Sequence, residues 1–166
     1  MDLANVVPWG RSFEEYQTMF ELSDDDLNTR ILGCGDGPAS FNAEATERGY
    51  QIISCDPVYQ FKAEEIRRRI DDVYPEIMTK MQQGAGDYIW HSLGGVEQLG
   101  EARMKAMSRF LSDFDAGCRQ GRYVSASLPT LPFADSEFDL ALCSHYLFLY
   151  SDHVDGAAHL ESMRQL

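Results

Sequence analysis

Stripes of apolar residues at helical spacing, separated by short apolar runs and glycine-bearing turns, divide this chain into alternating helices and strands. Residues 1–10 read as an extended arm ending in Pro8, Trp9 and Gly10. Ser12 with Glu15 is a capping box, which predicts a short helix to about Leu22 with Phe13, Tyr16, Met19 and Phe20 on overlapping faces. This helix either packs on the core or covers a ligand pocket, in which case Arg11 and Tyr16 are the residues to watch. The polar run from Ser23 to Asp26 leads into a first strand that ends at Ile31 and Leu32.

From there to Asp56 the pattern is strand, glycine turn, helix, second strand and terminal acid. Gly33, Gly35 and Gly37 alternate with Cys34 and Asp36, giving G-x-G-x-G. Pro38 suits the first turn of a helix, where its missing N–H has no partner, and Gly49 suits a left-handed helix end. The second strand, Gln51 to Cys55, delivers Asp56. Glycines let backbone approach a ligand closely, and a carboxylate at the end of the next strand can accept two hydrogen bonds from a ribose diol. A ribose-bearing ligand is the expectation. Asp36 suits either the amino group of such a ligand or a turn bonded to its own backbone.

A third strand would ordinarily follow within a few dozen residues, but the next convincing one begins near Tyr123. The stretch between is helical by pattern. Phe61 to Val73 is amphipathic, Pro75 marks a kink or restart before Glu76 to Gln83, and Gly84, Gly86, Gly94 and Gly95 bracket a loop carrying Tyr88, Trp90 and His91. A longer helix from about Val96 to Phe114 presents Leu99, Ala106, Met107, Phe110, Leu111 and Phe114 as one stripe. Residues 60–120 are therefore read as a helical insertion within a single domain spanning 1–166, with 1–28 as its N-terminal helical arm. Tyr123 to Ser127 and Phe138 to Ser144 are the last two strands, the latter a buried strand of a parallel sheet presenting Ser144, His145 and Tyr146 at its end; a helix from Asp152 to Gln165 follows.

Composition narrows the partners. A formal charge of −13 and a pI near 4.5 disfavour a nucleic-acid substrate, whose backbone calls for clustered Lys and Arg. Arg67, Arg68 and Arg69 are consecutive, yet Glu64, Glu65, Asp71 and Asp72 flank them, as on a solvated, salt-bridged helix face. The four cysteines have no C-x-x-C spacing, and no metal site is expected. The first residues have neither the basic end nor the apolar stretch of an export signal, and no window suits a membrane span, so a cytoplasmic protein is expected.

The segments ILGCGDG, ISCDP and LPFADSEFDLALCSHYLFLY, in this order, resemble the S-adenosylmethionine-dependent methyltransferases of the Rossmann-like class. The resemblance covers roughly residues 28 to 60 and 121 to 165. It implies an α/β fold, a three-layer sandwich around a mostly parallel sheet, with S-adenosylmethionine as cofactor. The cofactor's methionine portion would lie over the turn formed by Gly33, Cys34, Gly35, Asp36 and Gly37, its ribose on Asp56, and its adenine between Pro57 or Val58 and the turn at Ser127 and Leu128, with Ser144 nearby. Ile31 and Ser127 stand where the family often has acids. The family's sheet has seven strands and this sequence supplies four, so a C-terminally truncated product, or a second subunit covering the open edge as in a homodimer, is expected.

Methyl transfer is an in-line displacement that depends mainly on positioning. His145 has the chemistry of a base that would deprotonate a hydroxyl or amine acceptor, and the same position suits a core histidine. Tyr146 and Tyr150 could enclose an acceptor or simply pack, with His153 on the following turn. The expected activity is methyl transfer to a small-molecule or protein acceptor. The alternatives are a non-catalytic module that binds S-adenosylmethionine or S-adenosylhomocysteine and, more distantly, an NAD-dependent oxidoreductase.

Overall fold

A computed structural model describes residues 2–87, 94–144, 147 and 155–166 of the chain. Four parallel strands form one open sheet: β1 (Arg30–Cys34), β2 (Gln51–Cys55), β3 (Tyr123–Val124) and β4 (Leu140–Cys143), in the spatial order β3-β2-β1-β4. Leu32 faces Ile53 and Ala141, and Cys34 faces Cys55 and Cys143 across the two ladders. The order reverses beside β1, whose neighbours are reached by crossovers of opposite direction. Crevices for ligands form at the carboxyl end of such a switch point.

The helices are α1 (Phe13–Met19), α2 (Asp24–Leu27), α3 (Phe41–Glu47), α4 (Ala63–Gln83), α5 (Val96–Arg119) and α6 (Gly156–Gln165). Ser12 and Ser23 each close a capping box, with Glu15 and Asp26 respectively, which explains why both short helices start where they do. One face of the sheet, carrying Ile31, Ile52 and Leu142, packs against Phe13, Tyr16 and Phe41 from α1 and α3. Beside it, Tyr59 and Tyr123 pack with Phe110 and Phe114 of α5 and with Ile66 and Ile70 of α4. On the opposite face Leu32, Cys34 and Cys55 meet Leu128, Leu131, Phe133 and Phe138. These last come from the connection between β3 and β4, which contains no helix.

Five sequence expectations are corrected. Residues 3–5 form a 3-10 turn capped by Asp2 within the otherwise extended arm. Pro38 precedes α3 by three residues and is not in its first turn. α4 runs without interruption through Pro75, because it is packed on both sides of that residue: Ile66, Ile70 and Val73 are buried before it, and Tyr74 and Met78 sit against Gly100 of α5. A Cβ on Gly100 would lie 2.5 Å from the Tyr74 hydroxyl, so the glycine makes room for this contact. The third strand is two residues long and does not extend to Ser127. Of the arginine run, Arg67 and Arg68 are exposed as expected, whereas Arg69 donates from Nε to the Val6 carbonyl at 2.8 Å and ties down the arm. No helix among the described residues is long and apolar enough to cross a membrane.

Candidate functional site

The turn after β1 crosses the carboxyl edge of the sheet. Gly35 and Gly37 adopt φ of 70° and 54°, a conformation that other residues enter only with strain. Gly33 does something different. A Cβ there would lie 2.0 Å from the Asp36 carboxylate, so the missing side chain lets Asp36 fold back beneath the turn. Asp36 is buried and accepts from the Tyr16 hydroxyl at 2.8 Å and from Ser54 Oγ at 2.6 Å. Asn42 Nδ2 donates to Ser54 Oγ at 3.2 Å, and Ser144 at the end of β4 hydrogen-bonds the Tyr16 hydroxyl. Burial pushes the Asp36 carboxyl up to about 6 against the opposing pull of the Ser54 and Tyr16 bonds. Burial likewise pushes the Tyr16 phenol well above its ordinary value, and the nearby Asp36 adds to it.

Asp56 is held differently. Its Oδ2 accepts from the Gly37 N–H at 2.9 Å and its Oδ1 from the Val58 N–H at 2.8 Å. Each oxygen keeps a second acceptor position. Pro57 starts a 3-10 turn that ends at Gln60, and the Tyr59 hydroxyl donates to the Gly37 carbonyl at 2.7 Å. The glycine turn is thus tied to the segment that begins at the second-strand acid by two hydrogen bonds at Gly37, its N–H donating to Asp56 and its carbonyl accepting from Tyr59. Burial raises the Asp56 carboxyl above its ordinary value, while the two backbone N–H groups pull it down.

Gly33, Gly35, Asp36, Gly37, Asp56, Pro57 and Ser144 come together at this edge. The Asp36 carboxylate is engaged by Tyr16 and Ser54, and bonds neither its own backbone nor the space above the turn. Cys34 turns its thiol to the opposite face, 3.6 Å from the Cys55 thiol, leaving only its backbone to the turn. Ser127 is exposed, and its carbonyl accepts from the Thr130 N–H at 3.0 Å. Leu128 is buried against Leu32, Cys34 and Cys55. His145, Tyr146, Tyr150 and His153 lie outside the described residues, as do Tyr88, Trp90 and His91. Among the described residues no group of three or more His, Cys, Asp or Glu is placed to hold a metal ion.

The N-terminal segment contributes more than its pattern promised. Phe13 and Tyr16 are 4% and 1% exposed, which makes α1 a core helix and not a lid. The Ser40 N–H donates to the Arg11 carbonyl at 2.9 Å, and a Cβ on Gly10 would lie 2.0 Å from the Pro38 carbonyl oxygen. The arm therefore runs in direct contact with the glycine turn. Asn42, Ser54 and Arg103 are buried polar residues that sequence reasoning missed. Ser54 carried a signal, a polar residue inside the apolar run of β2, whereas Asn42 and Arg103 stand among other polar residues and carried none.

A cavity of about 400 Å³ opens elsewhere, at the amino edge of the sheet, between Arg30, Tyr50, Ile53, Gln120 and Phe138. Parallel sheets present their ligand-binding loops at the carboxyl edge. The glycine turn and its acid are at that edge, so the chemistry and not the cavity decides the site.

The uncharacterized protein MJ0045 of Methanocaldococcus jannaschii is 31% identical over 168 aligned positions, spanning 100% of this chain and 75% of the archaeal protein. This chain belongs to the MJ0045 family. No family model matches the chain, and no solved structure matches it. The relative's name states no activity, so function is argued from the site.

Proposed function

We propose that the chain is an S-adenosylmethionine-dependent methyltransferase whose cofactor occupies the carboxyl edge between β1 and β2. The observation that carries this reading is the clamp of Asp56 on the glycine turn, with both carboxylate oxygens fixed by backbone N–H groups and both retaining an acceptor position. That pair of acceptors fits the two hydroxyls of a ribose diol. The LPF…FDL segment leading into β4, which resembles the same enzyme class, favours the methyl donor over NAD.

When bound, the cofactor supplies an electrophilic methyl carbon on a sulfonium. The chain's own residues supply position. Asp56 accepts from the ribose hydroxyls, and the backbone of Gly33, Cys34, Gly35 and Gly37 lines the approach of the methionine portion. Pro57 and Val58 border the adenine side. The bonds from Tyr16 and Ser54 to Asp36 fix the turn from below, which limits the motion that would misalign reacting atoms. His145 and Tyr146, which follow Ser144 at the end of β4, are the proposed proton acceptor and acceptor-facing aromatic.

Calorimetry with S-adenosylhomocysteine, S-adenosylmethionine and NAD tests the assignment. Binding of the first two without NAD is expected; NAD binding with no response to the others would sink it. Release of S-adenosylhomocysteine during incubation with candidate acceptors separates an enzyme from a binding module.

A further inference from the structure

Behind the glycine turn three thiols stand in one row across the sheet. Cys34 of β1 is the register partner of both Cys55 of β2 and Cys143 of β4, and all three pack into the same cluster on one face. Cys34 and Cys55 are each 1% exposed with their Sγ atoms 3.6 Å apart, whereas Cys143, on the outermost strand, is half-buried. Neighbouring strands lie about 4.8 Å apart, inside the Cα separation of about 4.4–6.8 Å that disulfides span. Closing a Cys34–Cys55 bond therefore asks the two sulfurs to approach by about 1.5 Å and leaves the ladder in place. The hydrogen bond with Cys55 and burial both push the Cys34 thiol up, which makes it a poor first nucleophile. Cys143 is the most accessible of the row. The face is covered by Leu128, Leu131, Phe133 and Phe138 of the helix-free β3–β4 connection, and the last three are only half-buried. Opening that cover breaks side-chain contacts but no helix. The pair is also joined to the turn through backbone: the Gly35 N–H donates to the Cys55 carbonyl at 2.9 Å, and Cys34 is itself part of G-x-G-x-G.

We propose that Cys34 and Cys55 are a reversible disulfide site, oxidised by hydrogen peroxide by way of Cys143, and that the bond weakens the turn's hold on its ligand. The Cys143 sulfur attacks one peroxide oxygen and becomes a sulfenic acid, and the other oxygen leaves as water. The Cys34 thiol then displaces the sulfenic hydroxyl as a second water, giving a Cys34–Cys143 disulfide. Cys55 attacks the Cys34 sulfur, and Cys143 leaves with the proton that Cys55 gives up. Two thiols are oxidised and one peroxide is reduced to two waters. The bond comes to rest on Cys55 because that pair is already in contact and shielded from water. A dithiol reductant reverses the path through Cys143. Drawing the two sulfurs together displaces the Cys34 backbone and the Cys55 carbonyl, the points from which the turn is hung. The effect on the cofactor rests on the methyltransferase reading above; the disulfide does not.

The full chain carrying Cys118→Ser, which removes an exposed thiol able to link two copies, is treated with hydrogen peroxide, quenched in acid and mapped by mass spectrometry without reductant. A monomer lighter by two hydrogens, a linked Cys34–Cys55 peptide pair and recovery of both thiols with dithiothreitol are expected. Cys143→Ala should slow formation of the same link tenfold or more. The oxidised chain should bind S-adenosylhomocysteine at least fivefold more weakly than the reduced chain, and dithiothreitol should restore the affinity. No linked Cys34–Cys55 peptide, or oxidation that stops at Cys143, overturns the disulfide. An unchanged rate in Cys143→Ala overturns the route through that thiol. Should Cys143→Ala fail to fold, trapping with dimedone decides the route: a Cys143 sulfenic acid that precedes the disulfide supports it, and a disulfide formed without one overturns it. Equal affinity of the oxidised and reduced chains overturns the link to the turn. Absence of S-adenosylhomocysteine binding to the reduced chain overturns the methyltransferase reading itself, while the peptide map still decides the disulfide.

Discussion

Two aspartates in different roles share one turn: Asp36 beneath it and Asp56 across it. Asp36 titrates at about 6 in the fold against 3.8 ordinarily, so between those values the folded chain holds a proton that the unfolded chain has released. Stability from this group is complete below 3.8 and declines as pH rises through 6, by up to ~3 kcal/mol for a gap of about two pKa units. Asp36→Asn, which stays neutral throughout, should gain stability relative to the wild type between pH 5 and pH 8. Urea midpoints at the two pH values check this, and parallel curves would refute it. Asp56→Ala removes the acceptor of the Gly37 and Val58 N–H groups together with the proposed ribose contact. Its S-adenosylhomocysteine affinity should fall by ~1–3 kcal/mol in calorimetry, and an unchanged affinity rejects the ribose assignment.

At the scale of elements, boundaries set by local chemistry were legible and those set by packing were not. The Ser12 capping box, Gly49 at φ 90° and the limits of β2 follow from short-range rules. Pro75 followed none, because the packing of Tyr74 and Met78 on Gly100 outweighs the local cost of proline within a helix. The role of Asp36 was equally hidden: its partners Tyr16 and Ser54 are 20 and 18 residues away in sequence. The arm's contact with the glycine turn yields the prediction for this scale. Gly10→Ala drives a methyl group into the Pro38 carbonyl, so the arm must shift. Thermal melting should report a loss of ~1–3 kcal/mol, and S-adenosylhomocysteine affinity should fall with it. A variant with wild-type melting and binding would show that the arm does not brace the turn.

For the whole molecule, alternating strands and helices announced a parallel α/β sheet, and the reversal of strand order beside β1 puts its crevice where the glycine turn lies. The bare β3–β4 connection was less evident, since Leu128, Leu131, Phe133 and Phe138 cover the second face by hydrophobic contact without any helical period. β4 joins the sheet late in sequence. It is held to β1 by a paired contact in which the Arg30 guanidinium meets both Asp139 carboxylate oxygens at 2.9 Å, the Arg30 N–H donates to Asp139 Oδ2 at 3.0 Å and the Asp139 N–H donates to the Arg30 carbonyl at 2.9 Å.

That contact spans 109 residues, whereas Cys34 and Cys55 across the β1–β2 ladder are 21 apart. Closing the longer loop costs ~1.5 kcal/mol more in chain entropy. Folding speed should therefore depend on the β1–β2 unit, with β4 docking after the rate-limiting barrier. In stopped-flow measurements Ile52→Val should slow refolding, while Leu142→Ala should act mainly by speeding unfolding. Slower refolding in Leu142→Ala would place β4 in the nucleus. If β4 docks last, the two halves of the crevice are assembled in sequence, and the acid that clamps the glycine turn is in place before the strand that completes the site arrives.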